Sequence, residues 1–168
     1  MNKETFADAL ENRILLFDGA MGTEIQRYDP KSEDFPDGKD GFNDGLSTTK
    51  PEWIKEIHRK YLTAGADCIE TNTFGSNKIK LDEYGFGSQT VELNQKNAEL
   101  ARSVCDEFTD RQRFVVGSMG PTGYLPSSND ADLGQMPLSQ IREAFELQAE
   151  GLIKGTVDAL LIETSQDI

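Results

Sequence analysis

Histidine occurs once in these 168 residues and cysteine twice. Two cysteines are too few for a disulfide scaffold. Cys68 and Cys105 lie far apart with no histidine beside either, which does not match the ligand spacing of a zinc site. The lone His58 falls on a helical pattern outside the expected sheet, so no Ser-His-Asp or Cys-His set can form around it, and it reads as a structural residue. Positive charge is also short: 17 basic residues face 30 acidic ones, a net charge of −13. That balance argues against nucleic acid and anionic membrane surfaces as partners, because both require basic patches. No apolar run approaches the ~18–20 residues of a membrane span. Residues 1–12 are polar and mildly acidic, unlike a signal peptide. The expected setting is a reducing cytoplasm, with both thiols packed as small hydrophobes.

What the chain does have is acid placed at the ends of apolar runs. Ile14-Leu15-Leu16-Phe17 leads into Asp18, Ala66-Asp67-Cys68-Ile69 into Glu70, and Ala159-Leu160-Leu161-Ile162 into Glu163. A fourth run, Phe114 to Gly117, ends in Met119-Gly120-Pro121. Short apolar runs alternating with helical patterns read as parallel strands buried on both faces. The helical patterns cover Pro51–Ala64, with Thr49 and Glu52 as a capping box, then about 76–84, about 88–108, and 138–154. Residues 28–50 form a long polar stretch that is either functional or an exposed insertion. Gly65-Ala66-Asp67-Cys68-Ile69-Glu70-Thr71 is echoed by Thr156-Val157-Asp158-Ala159-Leu160-Leu161-Ile162-Glu163-Thr164. Repeated βα units are the pattern of a (β/α)₈ barrel, which typically needs ~250 residues. With four strands expected, residues 1–168 read as an α/β domain forming the first half of a TIM-type barrel, truncated, about four βα units. Its open sheet edges invite self-association.

In such sheets ligands sit beyond the carboxyl ends of the strands. The turn Asp18-Gly19-Ala20-Met21-Gly22-Thr23 has a G-x-x-G spacing that matches neither the P-loop nor the dinucleotide fingerprint. Its glycines open backbone N–H groups to an anion, and Asp18 beside them suits an ammonium, so together they form a plausible α-amino-acid clamp. Glu70 and Glu163 suit either a paired acid–base site of the glycosidase kind or the completion of that ammonium site. A non-catalytic binding or assembly module is the reading from a different class.

The residues Leu16 to Thr23, Pro51 to His58, Ala64 to Asp67, Ile69 to Phe74, Gly120 to Gly123 and Leu161 to Thr164 closely resemble the homocysteine-binding domain of the cobalamin-dependent methionine synthases, within the homocysteine S-methyltransferase family. Asn43-Asp44-Gly45-Leu46 and Pro126-Ser127-Ser128-Asn129-Asp130 favour that branch over the betaine- or S-methylmethionine-dependent relatives. The resemblance implies a barrel mouth that binds L-homocysteine. Asp18 and Glu163 would hold its amino group, and the Gly19, Ala20, Met21 and Gly22 turn its carboxylate. Asn72 and Thr73 would line the same mouth. It also implies a zinc-activated thiol methylated from methylcobalamin, which 5-methyltetrahydrofolate recharges on other domains of the longer chain. The zinc ligands of the family are cysteines expected beyond Ile168, so no metal ligand or catalytic residue is assigned within these residues. The chain alone is then expected to bind neither zinc nor cobalamin and to be inactive.

Overall fold

A computed structural model describes residues 4–165. Thr5 opens α1 (Phe6–Asn12) with a reciprocal cap: its hydroxyl accepts the Asp8 N–H, and the Asp8 carboxylate accepts the Thr5 N–H. α2 (Met21–Gln26) and α3 (Leu46–Thr49) are short, and three 3₁₀ turns lie between them. There follow α4 (Pro51–Ala64), β1 (Cys68–Glu70), α5 (Lys78–Tyr84), α6 (Thr90–Cys105), β2 (Phe114–Met119), α7 (Leu138–Lys154) and β3 (Ala159–Ile162). The strands form one parallel sheet in the order β1-β2-β3, with Cys68 opposite Phe114 and Val116 opposite Ala159.

Alternation along each strand sorts its side chains between two layers. Ile69 and Val115 face α4 and α6, where Leu62, Ala101, Val104 and Cys105 cover them. Cys68, Phe114 and Val116 face the other way, into a cluster with Ala9, and Phe6, Leu15, Phe17, Ala159 and Leu161 pack against it. α1 closes the cluster from below, the Phe6 ring standing edge-on to Phe114 at 5.5 Å.

The expected first strand at 14–17 is corrected to a single parallel bridge, Phe17 to Cys68. Leu16 explains why the ladder is cut short. Its carbonyl accepts from both Asp67 and Cys68, and its N–H goes to the Asp67 carboxylate at 3.0 Å instead of to a strand carbonyl. The expected capping box on α4 is also absent. Thr49 belongs to α3, Lys50 takes the cap position without a side-chain hydrogen bond, and Pro51 starts the helix. Gly65, at φ 112°, ends it in the left-handed conformation. His58 is fully buried between Ile54 and Leu62 on this helix, and burial lowers its pKa to about 4. Residues 28–50 are not an exposed insertion. Phe35, Phe42 and Leu46 bury themselves against Ile25, Ile54, Ile57, Leu81 and Phe86, each such burial being worth roughly 1.5–3 kcal/mol. No helix among the described residues is long and apolar enough to cross a membrane.

The sequence echo has a mechanical meaning. Asp67 precedes β1 and accepts the Leu16 N–H; Asp158 precedes β3 and accepts the Val115 N–H at 2.7 Å. Each carboxylate also pairs with an arginine, Asp67 with Arg111 at 2.9 Å and Asp158 with Arg102. Each repeat thus pins the start of the preceding strand to its own. Asp67→Ala removes the acceptor of the part-buried Leu16 N–H and the partner of Arg111, and is expected to lower stability by about 1 kcal/mol, read as a fall in the urea midpoint at unchanged slope.

Candidate functional site

The eight residues singled out in the sequence, Asp18, Gly19, Ala20, Met21, Gly22, Asn72, Thr73 and Glu163, all line one cavity of about 340 Å³ beyond the carboxyl ends of the strands. Glu70, Thr71, Phe74 and Ser118 complete its wall. The parallel bridge at Phe17 delivers Asp18. The Asp18 N–H donates to the Cys68 carbonyl at 3.0 Å, and the Asp18 carboxylate accepts the Glu70 N–H at 3.1 Å. Burial raises the Asp18 pKa to about 7, with the neighbouring Glu70 and Glu163 charges adding to the effect and the Glu70 N–H opposing it. Glu70 is raised for the same reasons, burial first and then Glu163. Glu163 follows β3, and its Oε1 accepts from Ser118 Oγ at 2.5 Å.

Gly19 sits at a close approach. A Cβ there would stand 3.1 Å from the Tyr61 ring, whose hydroxyl donates to the Ala20 carbonyl at 3.2 Å. The chain then turns into α2, whose cap residue Ala20 offers no side-chain acceptor to the first N–H groups. Asn72 and Thr73 shape the wall through bonds of their own. The Asn72 amide donates to the Asn43 carbonyl at 2.8 Å, and Thr73 Oγ1 donates to the Ser118 carbonyl at 2.7 Å. Thr71 Oγ1 accepts the Ser118 N–H and so donates its own proton to Thr73.

A buried layer that the sequence reading did not assign supports this wall. The Asp44 carboxylate accepts from Ser76 Oγ at 3.1 Å and from the Gly75 backbone, while the Asn97 amide donates to the Asp44 carbonyl at 3.3 Å. The Gln148 amide on α7 donates to the Thr73 carbonyl at 2.8 Å. The one signal for Asp44 was its place in the Asn-Asp-Gly turn.

The glycosidase arrangement is corrected by the same geometry. Glu70 and Glu163 line the same small cavity as Asp18, and both push the Asp18 carboxyl up, which makes one three-acid site around a small ligand and not a pair of carboxyls opposed across an open cleft. A zinc ion does not suit the chain's own thiols. Cys68 and Cys105 lie in different hydrophobic clusters, and burial pushes each thiol up to about 12. Among the described residues no group of three or more His, Cys, Asp or Glu is disposed to hold a metal.

Residues 15–168 match the family model described as homocysteine S-methyltransferase. The chain belongs to the homocysteine S-methyltransferase family. It is 43% identical over 163 residues to a methionine synthase of Mycobacterium tuberculosis and 40% identical to that of Mycobacterium leprae. Each match covers 96% of this chain and only 13% of the relative. Among solved structures, the metallated form of the Escherichia coli homocysteine methyltransferase MmuM superposes with a TM-score of 0.72 at 23% identity. That match covers 94% of this chain and 56% of the neighbour, and it speaks to the fold alone.

Asp44, in the layer behind the cavity wall, ties stability to pH. Burial lifts its pKa from the ordinary 3.8 to about 7. A carboxyl raised on folding stabilises fully below its unfolded value, and that stability is lost as pH rises through the folded one. Asp44→Asn is therefore expected to remove part of the decline in stability between about pH 4 and 7. Urea midpoints measured at both ends of that window test it: an unchanged difference would leave Asp44 without this role.

Proposed function

We propose that this chain is the amino-acid-holding part of a larger homocysteine methyltransferase barrel, of the kind that makes methionine from a cobalamin- and folate-borne methyl group. The observation that carries the reading is the pairing, around one small cavity, of acids suited to an ammonium with the open N–H groups of a glycine turn suited to a carboxylate. In this reading Asp18 and Glu163 receive the amino group of L-homocysteine, and the turn from Gly19 to Gly22 receives its carboxylate. Asn72 and Thr73, held by their own hydrogen bonds, set the width of the mouth. The side chain of the amino acid then projects away from the acids, leaving its thiol at the open side.

The half-barrel part of the proposal is supported by the two sheet edges. Ile14 and Leu16 on one side are 93% and 57% exposed, and Leu160 and Ile162 on the other are 41% and 72% exposed. These are the alternate positions that helices cover on β1 and β2. The share of the solved neighbours that the chain spans agrees with this. Zinc and cobalamin chemistry is assigned to other parts of the longer protein, in the cytoplasm, because neither Cys68 nor Cys105 suits a metal. The role of these residues ends at holding and orienting the amino acid.

Calorimetry with reduced L-homocysteine tests the clamp. Asp18→Asn and Glu163→Gln each remove a charge-assisted contact worth about 1.5–3 kcal/mol, so affinity should fall at least about tenfold in each. Equal affinity in all three proteins would overturn the assignment. Supplied with zinc, L-homocysteine and methylcobalamin, the chain by itself is expected to form no methionine, and turnover would refute the division of labour.

A further inference from the structure

α7 carries a polar side chain into the core. Gln148, Gly151 and Gly155 fall on one face of this helix, at spacings of three and four. A Cβ on Gly151 would stand 2.4 Å from the Val91 carbonyl of α6, and one on Gly155 would stand 2.6 Å from that of Gln95. The two glycines therefore let α7 close on α6 and press Gln148 inward. Gln148 is fully buried and does not line the amino-acid cavity. Its amide donates to the Thr73 carbonyl at 2.8 Å and reaches the Ser118 carbonyl at 3.4 Å, and both of those residues do line it. Ser118 is gripped on each side of its backbone. Its N–H donates to Thr71 Oγ1 at 3.1 Å, and its carbonyl accepts Thr73 Oγ1 at 2.7 Å. The Ser118 hydroxyl is left to donate to Glu163 Oε1 at 2.5 Å.

Neither carbonyl depends on Gln148 for a donor. The Thr73 carbonyl also accepts the Ser76 N–H at 3.0 Å, and the Ser118 carbonyl already has Thr73 Oγ1. The side chain moreover brings in an oxygen, Gln148 Oε1, to which no group among the described residues donates. A buried acceptor of that kind opposes folding. A residue that lowers stability and meets no otherwise unmet demand is kept for geometry. We propose that Gln148 is a positioning residue of the ammonium site: it clips the loop after β1 to the end of β2 and so fixes the Ser118 hydroxyl that aims the Glu163 carboxylate. Thr73 is the main link, because its bond to Gln148 is of ordinary length and the direct reach to Ser118 is long. A helix outside the sheet thus sets a carboxylate at the mouth without touching the ligand.

The identity of the ligand rests on the function proposed above, so the experiment has two arms. Gln148→Met keeps the length of the side chain and removes its polar atoms, so stability and binding should move apart. The urea midpoint is expected to stay the same or rise, while the calorimetric affinity for L-homocysteine falls about three- to tenfold. In a Ser118→Ala background, where no hydroxyl aims Glu163, the same change should weaken binding by less than about twofold. A lower midpoint or a failure to fold would make Gln148 a packing residue and overturn the proposal. Unchanged affinity, or full additivity with Ser118→Ala, would overturn it equally. The second arm follows amide hydrogen exchange in the ligand-free chain. The Ser118 N–H should lose protection about three- to tenfold in Gln148→Met while the amides of α4 and α6 keep theirs. Equal protection at Ser118 would overturn the clip, whatever the ligand. If L-homocysteine does not bind the parent chain, the function proposed above falls and the ammonium-site role with it, while exchange still decides whether Gln148 holds the end of β2.

Discussion

One parallel bridge, between Phe17 and Cys68, governs the geometry of the whole mouth. It sets Asp18 one residue beyond the bridge, where its N–H reaches the Cys68 carbonyl and its carboxylate meets the Glu70 N–H. The carboxylate is thereby fixed by backbone and not by a flexible partner. The same register logic carries across the sheet. Glu163 donates its N–H to the Met119 carbonyl, which leaves its carboxylate over the Ser118 hydroxyl. The three acids follow the Phe17 bridge, β1 and β3, with β2 between the last two contributing Ser118, and a shift of one residue at any of these positions would turn its acid toward the helices.

Gathering acids in a partly buried cavity opposes folding, and the surrounding polar layer shows how the cost is contained. Thr71, Asn72, Thr73, Ser76, Asn94, Asn97 and Gln148 are all buried. Their donors bond to backbone carbonyls and to one another, which holds the loop after β1 in shape, while Asn94 Oδ1 and Gln148 Oε1 stay buried without a partner. The acids themselves lack such closure. Among the lining residues no cation answers them, and Asp18 and Glu70 shift toward their neutral forms. A rigid wall with an unmet demand for positive charge describes a preorganised cation site better than a structural ion-pair network.

The features legible in the sequence were those fixed by local pattern. The apolar runs within Cys68–Glu70, Phe114–Met119 and Ala159–Ile162 are strands because buried parallel strands are built from apolar side chains, and the acids Glu70 and Glu163 that end two of these runs stand out by contrast. What was missed depended on tertiary choices. The apolar run at 14–17 pairs only at Phe17, because Asp67, far along the chain, takes the Leu16 N–H. Thr49 and Glu52 have the spacing of a cap, but packing draws Thr49 into α3. The polar composition of 28–50 concealed Phe35 and Phe42, whose burial no period announces. The Asp67 and Asp158 echo was visible, but its role in pinning neighbouring strands required their register.

The outward faces at the two ends of the sheet follow from this same repeat. In β1 and β2 the outward residues Ile69 and Val115 are covered by α4 and α6, and both are fully buried. Leu160 and Ile162 on β3, and Ile14 and Leu16 beside β1, occupy the equivalent alternate positions and stand exposed. The sequence spends large apolar side chains there as freely as in the covered strands, although exposed leucine and isoleucine in this arrangement invite association. That expenditure is consistent with a sheet continued and covered on both sides, which supports the barrel reading. It also separates two duties within such a barrel. In the proposed function the first strands bring acids and open N–H groups to the amino acid's polar end, and their two cysteines lie in the core. On that proposal, the chemistry at the thiol is left to the far side of the mouth.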